Sequence, residues 1–219
     1  MAIQRKESKY SEADLVDLFG LKKFSGNSKM ALMSEWTKAE TSLDGYESQL
    51  FERKLLKAQN SIEWWQEEDL KMKFISFILD LAYLEEDSEA YISYFEKTVS
   101  ATVENTFLKV KTDFMLANGI MDKPKKPYFH FQEYKKLKDP TGDPVAQLVE
   151  AFLIAQELNQ NNKPIYGCTV TGKLWDFFIM EGKTYCVSKS YDCTEREDLM
   201  KIIAMLRQFK IILEKTLMD

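Results

Sequence analysis

"PYFHFQEYKK", residues 127–136, alternates aromatic and polar positions and then ends in Glu133, Tyr134 and Lys135. The alternation predicts a half-buried strand, with Phe129, Phe131, Glu133 and Lys135 on one face and Tyr128, His130, Gln132 and Tyr134 on the other. Glu133 and Lys135 therefore emerge together at the strand end, about 7 Å apart along its axis. Charges at the end of a core strand cost several kcal/mol unless they are paired or hold an ion, so their placement calls for a partner.

Outward from this strand, the chain reads as alternating layers. Ser11 and Asp14 form a capping-box pattern ahead of a short helix that stops near Gly20, and "KKFSGNSK" reads as a loop. Leu50, Phe51, Leu55 and Ala58 mark one face of a second helix after Asp44. "WWQEEDLKMKFISFILDLAYLEED" is acidic at its start and apolar through Phe74, Phe77, Ile78, Leu81 and Leu84, which fits a helix packed on something large. The Val, Thr and Phe content of the next segment predicts a hairpin from about Thr98 to Ala117 with Glu104 and Asn105 as its turn. "KPKKP" reads as a linker. Asp143 and Pro144 open a further helix as N-cap and first residue. "PIYGCTVTG", "LWDFFIM" and "TYCVS" then predict three strands joined by Gly-Lys turns, followed by a closing helix from about Glu195 to Lys215. The order is that of an α/β domain, residues 61–219, preceded by a helical N-terminal extension, residues 1–60.

The 219 residues are 45% hydrophobic, 30% charged and 13% aromatic, a globular composition. No apolar run is long enough to span a membrane, and the charged N-terminus lacks the apolar core of a signal peptide, so a cytoplasmic protein is expected. Three cysteines without CxxC spacing, and a single histidine, disfavour both zinc and disulfide frameworks. The net charge of −5 argues against nonspecific coating of nucleic acid. It leaves room for a local basic cleft, since Lys123, Lys125, Lys126, Lys135, Lys136 and Lys138 crowd around the strand.

Asp113, inside "VKTDFML", is a second carboxylate in an apolar strand context. Were this strand to pair with the one carrying Glu133, both carboxylates could converge on a hard divalent cation, with the Tyr134 carbonyl as an extra ligand. Lys135 could then orient the attacking water or neutralise charge on a phosphate. The plainer reading is a strand-end salt bridge between Glu133 and a nearby lysine. "GCTVTGKL", residues 167–174, matches a phosphate-loop pattern but has Leu174 where Ser or Thr is needed, and its flanks read as strands; Gly172 and Lys173 are taken as a hairpin turn. His130, on the face opposite Glu133, reads as a packed residue, and no Ser/His/Asp triad can be built around it.

Asp113, "QEYKK" with Glu133 and Lys135, the helix "DPVAQLVEAF" and the acidic helix "WWQEEDLK" together resemble the PD-(D/E)XK nuclease superfamily, and more narrowly bacterial members of the Bacteroides type, over roughly residues 61–215. The resemblance implies a restriction-endonuclease-like core with a mixed central sheet flanked by helices, in which Asp113 and Glu133 bind Mg²⁺ or Mn²⁺ and Lys135 assists the water. It also implies a metal-side role for Glu68, with Glu67 equally placed by spacing, and a catalytic-site role for Gln147. The chain departs from the family pattern in having Thr112 before Asp113. The implied partner is nucleic acid, DNA first, with a second copy of the chain as a further candidate and no membrane. A catalytically inactive interaction or structural protein on the same scaffold is the alternative.

Overall fold

The computed structural model describes residues 10–85, 88, 90–137 and 142–218. Helix α1 (Glu12–Phe19) begins at the Ser11–Asp14 capping box and ends at Gly20, whose φ of 61° permits the left-handed cap. The next residues, "KKFS", are not a loop: Lys22–Ser25 form strand β1. Four mostly polar residues show no apolar alternation, and the strand exists because it pairs in parallel with a distant partner.

Helices α2 (Ala31–Trp36) and α3 (Gly45–Ser61) follow. Asp44 caps α3 through a reciprocal box with Glu47. The acidic segment forms α4 (Glu67–Leu70), a π turn over Lys71–Ile75 and α5 (Ser76–Leu81). The single amphipathic helix expected here thus carries one widened turn, which rotates the residues around Lys71 relative to those after it.

Strands β2 (Ile92–Val103) and β3 (Thr106–Ile120) make the expected hairpin, longer at both ends, with Glu104 and Asn105 at φ 45° and 70° in its turn. Strand β4 (Lys123–Lys135) includes "KPKKP", which pairs with β3 through Asn118↔Lys125, Gly119↔Pro124 and Ile120↔Lys123. The prolines are tolerated because β4 has β5 as its second neighbour only from His130 onward, so the missing N–H groups lie on an edge. Helix α6 (Pro144–Asn159) crosses over to β5 (Ile165–Thr171), which is parallel to β4. Strands β6 (Leu174–Glu181), β7 (Thr184–Val187) and the short β8 (Tyr191–Asp192) precede the closing helix α7 (Arg196–Met218).

The eight strands form one mixed sheet in the order β1-β7-β6-β5-β4-β3-β2, with β8 beside β6. Pairing is parallel at β1–β7 and β4–β5 and antiparallel elsewhere. One face buries Met115, Phe131, Ile165 and Phe178 with Leu15 and Phe19 of α1 and with Phe152 of α6. The other buries Phe114, Tyr134, Cys168 and Phe177 with Trp36, Phe51, Phe74, Ile78 and Phe209 from the remaining helices and the π turn. Trp36 ties α2 to α7 by donating its indole N–H to the Met205 carbonyl at 2.6 Å. All three cysteines are buried thiols. No helix among the described residues is long and apolar enough to cross a membrane.

Gly167 sets how closely α6 lies on the sheet. A Cβ there would fall 2.6 Å from the Phe131 carbonyl oxygen and 2.8 Å from the Phe152 ring. Gly167→Ala is expected to destabilise the protein by about 1–3 kcal/mol, the usual cost of overpacking. Urea denaturation of the variant would measure it.

Candidate functional site at the β3–β4 fork

Pairing between β3 and β4 runs from Ile120↔Lys123 to Phe114↔Gln132 and ends there. Asp113 and Glu133 are the next residue on each strand, so both carboxylates stand where the ladder opens. Beyond this point β3 stays paired with β2, and β4 stays paired with β5 as far as Lys135↔Thr171. The two halves of the sheet separate between them.

Side-chain carboxylates take over backbone donors that the missing ladder leaves behind. Asp113 Oδ2 accepts from the Tyr134 N–H at 2.8 Å. Glu150 of α6 reaches in to accept from the Lys109 N–H on β3 at 2.9 Å. By alternation with Phe131, Glu133 and Lys135 belong to the face that α6 covers, whereas the Asp113 carboxylate, at the opening between the strands, meets Lys71 of the other helical layer. Gln147 and Glu150, three residues apart on α6, are buried as well. Tyr134 thus meets Asp113 through its backbone N–H.

The strand-end charges do not emerge into solvent. Glu133 is 0% and Lys135 3% exposed, and Asp113 is 1% exposed. Opening of the fork coincides with coverage by α6, which the strand pattern by itself could not reveal.

A cation reaches Asp113 from the acidic segment. Lys71 Nζ lies 2.9 Å from Asp113 Oδ1, 2.9 Å from Glu67 Oε1 and 3.0 Å from Glu96 Oε1. Glu68 is farther, at 3.7 Å, and its side chain is 81% exposed. Of the two acidic candidates on this helix, Glu67 is therefore the one drawn into the cluster. Glu96 stands opposite Asp113 on β2, at a φ of 55° and at a gap in the β2–β3 ladder between Phe95↔Phe114 and Lys97↔Thr112. Its other oxygen pairs with Lys111 at 2.6 Å. Burial pulls the Lys71 ammonium toward a lower pKa, but the Asp113 charge and the hydrogen bonds to Glu67, Asp113 and Glu96 outweigh it, so its pKa lies well above the ordinary value.

A cavity of about 340 Å³ opens beside this cluster, lined by Glu68, Lys71, Phe95, Glu96, Asp113 and Tyr134 among others. Glu85 also faces it, its carboxyl pushed up first by burial and then by Asp80. The cavity is acidic, so an anionic ligand would enter it only with accompanying positive charge.

Asp113 and Glu133 offer the hard oxygen donors that Mg²⁺ and Mn²⁺ take, and such ions use as few as one or two carboxylates with water completing the shell. The Lys71 ammonium among Asp113, Glu67 and Glu96 shows that a cation already fits against Asp113. Among the described residues, no group of three or more His, Cys, Asp or Glu side chains is arranged to hold a metal ion. The carboxylates gathered here are gathered on an ammonium.

The remaining candidates are a hairpin turn and an exposed stretch of strand. Gly172 and Lys173 turn the β5–β6 hairpin, with Gly172 at φ 59° donating its N–H to the Lys135 carbonyl at 2.8 Å, so the phosphate-loop match is a turn. Lys123, Lys125 and Lys126 lie along the first half of β4, apart from the buried Lys135, and Lys138 falls outside the described residues. Comparison of the sequence with protein-family models and with curated proteins returns no match. The site is accordingly read from its own geometry.

His130 is buried on the opposite face, its ring 4.6 Å from that of Phe209, and its Nε2 accepts from the Gln132 amide at 2.9 Å. Burial lowers its pKa to about 3 from an ordinary 6.5. The unfolded chain therefore binds more protons between these values, and His130 destabilises the fold progressively as pH falls through that window. His130→Phe is expected to flatten the acid side of the stability curve between about pH 6.5 and 3, by up to about 1.4 kcal/mol per pH unit. Denaturation midpoints measured across that range would show it.

Proposed function

We propose that the protein is a divalent-metal-dependent nuclease acting on DNA phosphodiester bonds, with the β3–β4 fork as its centre. The observation that carries this reading is the position of Asp113 and Glu133, on two strands at the point where the ladder between them ends, with Lys135 two residues on and Gln147 on the covering helix. The order of helix, antiparallel hairpin, strand, crossover helix and further strands agrees with the order on which the PD-(D/E)XK resemblance rests.

In this reading Asp113 and Glu133 hold Mg²⁺ or Mn²⁺, which supplies a Lewis acid for the phosphoryl oxygen and an acidified water. Lys135 carries positive charge toward the scissile phosphate, and Gln147 orients groups at the fork through its amide. Glu67, more than Glu68, is the helix carboxylate positioned beside Asp113. α6 excludes bulk water from the floor of the site, which strengthens each of these electrostatic contacts.

A second reading has its own observation. The ion pair of Lys71 with Asp113, together with the burial of Glu133 and Lys135, suits a scaffold that has turned its strand-end charges into an internal salt-bridge network and serves as a non-catalytic interaction or structural protein.

Incubation of linear and circular DNA with the protein in Mg²⁺ or Mn²⁺ separates the two. Cleavage is expected in the wild type and is expected to fall about 100-fold or more in Asp113→Asn and Glu133→Gln, the scale of losing one electrostatic contact to a transition state. Melting curves establish that both variants fold. Undiminished cleavage by both removes the fork from the chemistry, whereas no metal-dependent cleavage of any strand form by the wild type selects the scaffold reading.

A further inference from the structure

Lys71 is a charged residue at the fork to which the proposed chemistry gives no task. Its ammonium draws on three separate elements: Glu67 from α4 at 2.9 Å, Glu96 from β2 at 3.0 Å and Asp113 from β3 at 2.9 Å. A dication approaching Asp113 would meet this ammonium at the same carboxylate, and two positive charges within about 4 Å repel by several kcal/mol even in a moderately screened environment. Both cannot hold Asp113 Oδ1 at once.

The surroundings give Lys71 somewhere to go. Its side chain is 14% exposed and lines the cavity of about 340 Å³ that also reaches Asp113. The cavity lining includes Glu68, 3.7 Å from Nζ and itself largely exposed, so an ammonium leaving Asp113 keeps a carboxylate within reach. The residue also sits at the first position of the π turn, Lys71–Ile75, a backbone stretch outside regular helical hydrogen bonding.

We infer that Lys71 is a tethered cation that occupies the Asp113 end of the fork, and that a divalent metal ion binds there by displacing it into the adjoining cavity. The inference rests on the reading of Asp113 as a metal ligand. It makes Lys71 a residue that sets metal affinity: with Lys71 in place Asp113 is neutralised without metal, and metal binding costs the ion pairs that Lys71 gives up. A purely structural Lys71 would instead balance the charge of an Asp113 that takes no part in metal binding, and metal affinity would then not depend on it.

Calorimetric titration of Mn²⁺ into the full chain distinguishes these roles. Lys71→Gln is expected to bind Mn²⁺ at least tenfold more tightly than the wild type. It is also expected to melt lower without metal, because the buried Asp113 carboxylate loses its counter-charge, and to recover in Mn²⁺ by more than the wild type gains. A variant that melts lower but binds Mn²⁺ with wild-type affinity, and gains no more from it, overturns the displacement. Lys71→Arg keeps the cation and is expected to bind Mn²⁺ no more tightly than the wild type; tighter binding by this variant overturns the proposal even if Lys71→Gln fails to fold. The underlying reading is checked separately by Glu133→Gln. Wild-type binding abolished by that change, without a gain in Lys71→Gln, leaves the metal site standing and removes only the role of Lys71. Absence of Mn²⁺ binding in the wild type and in Lys71→Gln alike removes both.

Discussion

The end of the β3–β4 ladder at Phe114↔Gln132 is the constraint around which the rest of the centre is arranged. Two neighbouring strands that part inside a protein expose backbone donors and acceptors that water cannot reach, and each must find another partner. Here carboxylates meet that demand. Asp113 takes the N–H of Tyr134 and Glu150 takes the N–H of Lys109. Buried carboxylates in turn require positive charge close by, and Lys71 reaches Asp113 from the helix layer beyond the sheet edge. The polar interior thus follows from a sheet that opens, and acidic residues there are structurally required whatever chemistry they also perform.

The sequence showed one side of this arrangement well. Alternation in "FHFQEYK" placed Glu133 and Lys135 on one face, and Phe131, two residues earlier on that face, packs with Met115 and Phe152. The Asp143–Pro144 start of α6 and the Gly172 turn were equally legible, because caps and turns are local chemistry. β1 was not, since "KKFS" becomes a strand through its pairing with Thr184–Val187 and not through any pattern of its own. "KPKKP" looked unable to hold regular structure because two prolines remove donors; a strand with a single neighbour at that point does not need them.

Lys71 escaped the sequence reading for a different reason. On an acidic helix, a lysine four residues after Glu67 is read as a surface i,i+4 pair, and that pair is present. Its contact with Asp113 spans layers and depends on the π turn and on the left-handed residue Glu96, neither of which has a sequence signature here. Glu150 had a weak one, falling three residues after Gln147 on the same helix. The burial of the fork under α6 could not be read from either segment separately.

The β1–β7 pairing carries a consequence for how the chain reaches this state. The β2–β3–β4 meander joins neighbours in sequence and can form as soon as those residues meet, whereas Lys22–Ser25 must wait for Thr184–Val187, nearly the whole chain away. Closing so long a loop for four residue pairs yields little until both helix layers are in place. β1 is therefore made well before the strand it pairs with, and until the chain has been made through β7, the edge of the sheet that β1 completes does not exist.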